Sequence, residues 1–190
     1  MPKQRITKEM IVNVAFELSR KVGMEHVTVK DVAGELNCSV QPIYSYCESM
    51  DGLHKEVLKK TAEFMKEYLA GHIDREDFFR STGYAYIRLA KEEPNIFKMF
   101  IMHEREGISS LEDIYKTQTN PGVADFIAKD LQISREKAVQ LHLNMLIYTV
   151  GIGSILASSS PGIPIEEVYQ QLESAQQAFL KQALADSAVK

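Results

Sequence analysis

Residues 28–46 read Thr-Val-Lys-Asp-Val-Ala-Gly-Glu-Leu-Asn-Cys-Ser-Val-Gln-Pro-Ile-Tyr-Ser-Tyr. Their spacing predicts two short helices joined by a tight turn. Thr28 stands where an N-cap belongs, and Asp31 follows three positions later, so hydroxyl and carboxylate can each accept a backbone N–H. Val29, Val32, Ala33 and Leu36 then share one helical face. Asn37 tolerates the left-handed conformation that ends a helix. Ser39 is expected to cap the second helix, with Pro42 in its first turn, where a missing N–H matters little. Ile43 is the apolar anchor, and Tyr44 and Tyr46 are left to point outward.

This is a helix-turn-helix pattern. The second helix of such a pair can lie in the major groove of double-stranded DNA, its N-terminal residues against base edges and phosphates. The flanks extend the pattern. Thr7 opens an earlier helix with Ile11, Val14, Ala15, Leu18 and Val22 on one face, stopped at Gly23. Ser49 can cap a later helix carrying Leu53, Val57 and Leu58.

Taken together, Ile11, Ala15, Leu18, Gly23, Thr28, Val32, Ala33, Ser39, Ile43, Tyr44, Tyr46 and Leu53 give residues 6–60 a spacing that resembles the N-terminal domain of the TetR family of bacterial transcriptional regulators. The departures from that family are Gln41-Pro42 before the Ile-Tyr pair, Cys47 in place of an aromatic, and Met50 in place of a lysine that grips a phosphate. The resemblance implies an all-α chain with a three-helix DNA-binding domain over 1–50 and a helical effector-binding and dimerisation domain over 51–190. It implies a regulator, most simply a repressor, released from its operator by a small molecule. The expected DNA contacts are Thr28, Lys30, Ser39, Val40, Gln41, Pro42, Tyr44, Ser45 and Tyr46. Among them Gln41 suits base reading, since glutamine can bond adenine in bidentate fashion.

Composition limits this reading. The chain has 190 residues, a formal net charge of -4 and a pI near 5.8. Within residues 1–50, Lys3, Arg5, Lys8, Arg20, Lys21 and Lys30 are balanced by Glu9, Glu17, Glu25, Asp31, Glu35 and Glu48. No broad positive field is available, so affinity must come from paired copies, with a modest salt slope. The start of the chain has no apolar signal segment, and the most apolar run, residues 143–157, is interrupted by Asn144, Thr149 and two glycines. A cytoplasmic protein with no membrane partner is expected. Cys38 and Cys47 lack metal-ligand spacing and read as reduced thiols. Neither a phosphate-binding glycine loop nor a nucleophile elbow is present, so the expectation is no enzyme, no cofactor and no metal.

The remainder reads as helices over 51–70, 74–92, from Pro94, 123–131, from Ser134 to about 158, and from Pro164. Residues 107–122 read as irregular or loosely helical, with Asn120-Pro121-Gly122 as a turn. A small-molecule site among the central helices would draw on Tyr84, Phe97, Phe100, His103, Tyr115, His142 and Met145, a mixture of apolar walls and sparse polar tips; core packing explains each of these residues equally well. The last two helices are apolar on more than one face, and a homodimer could cover the second face. Leu146, Val150, Gly153, Leu172 and Phe179 are the expected interface. The competing reading is a helical interaction or ligand-binding module with weakened DNA binding.

Overall fold

The computed structural model describes residues 6–103, 107–159 and 162–185. The basic residues Lys3 and Arg5 lie outside the described residues. Among those described, the chain is helical and has no strand. Two compact units emerge: residues 1–71 with 92–103, and residues 72–91 with 104–190. The boundary expected after residue 50 falls where the fourth helix begins, and the first compact unit continues beyond it.

The first unit contains α1 (Lys8–Val22), α2 (Val29–Glu35), α3 (Gln41–Cys47), α4 (Met50–His72) and α6 (Pro94–Ile101). Local chemistry sets the ends of α1 and α2. The Thr7 hydroxyl accepts the Met10 N–H at 3.2 Å. Gly23 takes φ 93°, a conformation that strains any side chain, and so stops α1. Thr28 and Asp31 form a full capping box. Asn37 adopts φ 49° after α2, as its residue type allows. The core of the unit is Ile11, Ala15, Phe16, Val32, Ile43, Leu53, Val57 and Met65. Val22, expected inward, is 47% exposed because it is the last residue of α1. Phe16 and Ser19 are buried instead.

Ser39 does not cap α3. The helix starts at Gln41, with Val40 at the cap position and no side-chain cap bond. The reason is local: with Ser39 as the cap, the third helical residue would be Pro42, which has no N–H to offer. Ser49 does cap α4, accepting the Gly52 N–H at 3.1 Å.

The second unit contains α5 (Phe78–Glu92), α7 (Leu111–Gln118), α8 (Pro121–Leu131), α9 (Arg135–Ser159) and α10 (Ile165–Ala185). Of the two readings left open for 107–122, the helical one holds over α7, and the turn expected at residues 120–122 is instead the start of α8. The Ser110 hydroxyl accepts the Asp113 N–H at 3.1 Å, and the Asp113 carboxylate accepts the Ser109 N–H at 3.1 Å. Helix α9 packs between α8 and α10. At 25 residues it is long and apolar enough to cross a membrane by length and composition alone, because the helix extends the apolar run 143–157 on its N-terminal side. Its most apolar window is 39% buried within the chain.

Candidate DNA-reading face and ligand sites

The seven-residue helix α3 presents one face outward and is held from behind by the other. Ile43 and Cys47, one helical turn apart, are 1% and 5% exposed. Full burial of an isoleucine contributes about 2 kcal/mol, and here it fixes the orientation of the whole helix. Gln41, Tyr44, Ser45 and Tyr46 are exposed, and Pro42 is half-buried at the start. The Tyr46 hydroxyl donates to the Ile6 carbonyl at 3.4 Å, leaving Tyr44 as the less engaged phenol. No side chain caps the N-terminus of α3.

Gly52 was not singled out from the sequence, yet it sets how closely α3 and α4 meet. A Cβ there would lie 1.9 Å from the Cys47 carbonyl oxygen. The pairing of a buried Cys47 with a glycine five residues later was the available signal. Lys55 was also missed. It lines a cleft of about 630 Å³ in the first unit with Tyr46, Glu48, Lys8 and Lys59.

The electrostatics of this region separate held charges from available ones. Glu56 accepts Lys59 Nζ at 2.7 Å and pairs with Lys8 at 3.1 Å, and these bonds hold its carboxyl below the usual range. Lys30 and Lys55 make no ion pair among the described residues. At the head of α2, bonds from the Thr28 hydroxyl and N–H hold the Asp31 carboxyl below its ordinary value. The Thr28 hydroxyl is therefore occupied by its own cap. Burial pushes the Cys47 thiol up, away from the reactive thiolate.

The residues expected at one ligand site are not gathered in one place. Phe97, Phe100 and His103 belong to the first unit, and Tyr84, Tyr115, His142 and Met145 to the second. Phe97 has no exposed surface and is core. Phe100 and His103 line the cleft that contains Lys55, and His103 Nδ1 lies 2.9 Å from the Met99 carbonyl. In the second unit the Tyr115 hydroxyl lies 3.0 Å from His142 Nδ1, and Phe79 meets the same imidazole edge-on at 6.0 Å. Burial lowers the His142 pKa to about 4. A neutral imidazole can share a hydrogen bond with the tyrosine hydroxyl in either direction, as its tautomer sets. Tyr84 stacks on Tyr169 at 4.2 Å and donates to Glu173; burial first, and then that carboxylate, push its pKa up to about 12. Met145 is buried.

The second unit also has a smaller cavity, of about 160 Å³, at the ends of α5, α8, α9 and α10. Its walls include Phe78, Phe79, Phe126 and Leu141, and none of the seven expected ligand residues lines it.

Of the expected dimer residues, Gly153 and Leu172 are buried inside the chain, Leu172 lying against Gly83. Leu146, Val150 and Phe179 are half-buried, and the Phe179 ring meets Tyr148 edge-on at 6.3 Å. The exposed stripe of α9 is Ile147, Gly151 and Ile155, at spacings of four. Ile147 and Ile155 are 48% and 60% exposed.

No family model matches the sequence, and no curated protein is similar to it by sequence. Solved structures do match. A TetR-like transcriptional regulator from Rhodococcus sp. RHA1 superposes with a TM-score of 0.59 at 12% identity, over 98% of this chain and 100% of that one. A TetR-family transcriptional regulator from Streptomyces coelicolor gives 0.63 at 13% identity, over 94% and 88%. A TetR variant from Acinetobacter baumannii AYE, solved in complex with minocycline, gives 0.53 at 16% identity, over 96% of each chain. The chain therefore has the fold of the TetR-like regulators, end to end. The likeness resides in the backbone, and almost none of it in shared residues.

Proposed function

We propose that the chain is a DNA-binding transcriptional regulator that acts as a cytoplasmic homodimer, most simply a repressor released by a small ligand. The observation that carries this reading is α3: a helix whose Gln41, Tyr44 and Ser45 are free in solvent while Ile43 and Cys47 anchor it from behind. Each copy places that helix in one major groove. Gln41 reads a base edge, Tyr44 and Ser45 hold phosphates, and Lys30 and Lys55 add charge. Ser39, Val40 and Pro42 line the entry to the helix, and Tyr46 and Thr28 buttress it as much as they touch DNA.

The exposed Ile147, Gly151 and Ile155 stripe, with Leu146 and Val150 beside it, supplies the apolar face for a second copy. Phe179 extends it from α10, whereas Gly153 and Leu172 support it from within. A ligand bound in the second unit changes the separation of the two reading heads and thereby their fit to half-sites about one helical turn apart.

The test is a gel shift of the full chain with DNA flanking its own gene and with sequences selected from a random pool, at low salt. A discrete, two-fold symmetric footprint is expected. Failure to retain any duplex sequence over bulk DNA would overturn the reading.

A further inference from the structure

We propose that the cavity at the ends of α5, α8, α9 and α10 is a binding site for a small aromatic organic cation. The proposal deepens the ligand-responsive reading by naming a chemical class, and it concerns a site that none of the sequence-based expectations located.

The cavity is built in three parts. Ile127 and Leu141, each 2% exposed, form a buried floor. Three phenylalanines make the wall: Phe78 and Phe126 meet edge-on at 5.9 Å, and Phe79 stands over the same opening. Phe126 is 49% exposed, a large ring left in water beside its own cavity. Such an arrangement leaves apolar surface for a guest to cover.

The rim is what selects the guest. Glu76, Asp77 and Asp130 line the opening, and no lysine or arginine does. Asp77 is held by Arg80. Glu76 and Asp130 make no ion pair among the described residues. Two uncompensated carboxylates beside aromatic faces attract a cation twice over, through charge and through the ring quadrupole. They repel a carboxylate or phosphate guest. The volume of about 160 Å³ is below that of drug-sized sites and accommodates one ring with a small head group. The Gln176 amide at the edge offers one polar contact besides.

The probe is benzyltrimethylammonium, titrated into the full chain by calorimetry, with benzyl alcohol and phenylacetate as neutral and anionic counterparts. Saturation-transfer NMR on the unaltered protein gives a second readout that needs no variant. The cation should bind, the alcohol should bind roughly tenfold more weakly, and the anion should not register. Glu76→Gln with Asp130→Asn, both at exposed positions, should weaken the cation roughly tenfold and leave the alcohol unchanged. Phe79→Leu, which removes the ring and keeps the wall apolar, should weaken the cation. Equal binding of all three probes, an unaffected double amide variant, or no saturation transfer from the protein to the cation would overturn the proposal. So would conversion of a dimer to a monomer by Phe126→Ser, because the face would then belong to a second copy. Cation binding by a protein that holds no DNA leaves this site standing and removes the regulator reading. DNA binding with no cation binding does the reverse.

Discussion

The Arg20 guanidinium, at the end of α1, grips the Glu93 carboxylate, at the head of α6, through both Nε, at 2.8 Å, and Nη2. Asn95 adds a bond from its amide to the Arg20 carbonyl at 3.0 Å, and the guanidinium carbon stands 5.2 Å from the Phe64 ring centre on α4. The bonds to Glu93 raise the Arg20 pKa above its usual value. One side chain thus ties α1, α4 and α6 into a single body, although Arg20 and Glu93 are 73 positions apart.

Glu93→Gln should therefore lower stability by about 1 kcal/mol, a charge-assisted pair discounted for the partial exposure of Arg20. Urea unfolding at low and high salt checks this. The gap between the two proteins should narrow as salt rises, while the slope of the transition stays unchanged.

Gly52 predicts a larger effect from a smaller change. A methyl group there meets the Cys47 carbonyl oxygen at 1.9 Å, so Gly52→Ala must push α3 away from the first turn of α4. The expected loss is about 1–3 kcal/mol, with a fall in DNA affinity beyond that explained by the unfolded fraction. Thermal melts paired with anisotropy on a selected operator separate the two effects.

The half-buried His142 makes stability depend on pH in a known direction. Its folded pKa is lowered to about 4, whereas the unfolded imidazole titrates near 6.5. Between those values the unfolded chain holds a proton that the folded chain does not. Its contribution is fully present above pH 6.5 and is lost as pH falls toward 4, by up to about 3 kcal/mol. In His142→Gln, which keeps a possible acceptor for Tyr115, the urea midpoint should vary less across that window. Equal acid sensitivity in both proteins would assign the effect to other groups.

The α9 stripe predicts the oligomeric state. Ile155→Asp places a charge on a side chain already 60% exposed, and nothing lies within 4 Å of a Cβ added at Gly151. Ile155→Asp and Gly151→Arg should each give monomers in sedimentation velocity with unchanged helical content. DNA affinity should fall steeply, since two half-sites are no longer linked.

Much of the first unit was legible because its signals are local. Thr7, Gly23, the Thr28–Asp31 pair and Asn37 each act within four residues, and each is found in its expected role. Ser39 misled because a cap depends on which N–H groups follow, and Pro42 removes one. Helix α7 was only faintly legible because it buries mainly Tyr115 and leaves Leu111 56% exposed, a thin apolar face for periodicity to register. The ligand residues were the least legible part. Aromatic side chains at helical spacing serve cores and cavities alike, and the deciding facts are long-range: Phe126 meeting Phe78, or Tyr115 meeting His142. The same holds for α9, where composition shows two apolar faces and only packing shows that Gly153 lies inside while Gly151 lies outside.

The central claim, that the exposed face of α3 reads DNA, is tested most directly by anisotropy on a selected operator and its single-base variants, with Gln41→Ala and Tyr44→Phe beside the unaltered chain. Gln41→Ala should lose about 1–3 kcal/mol of discrimination at one position in each half-site. Tyr44→Phe should weaken every sequence alike. If both variants bind all sequences as the unaltered protein does, α3 is not the reading helix.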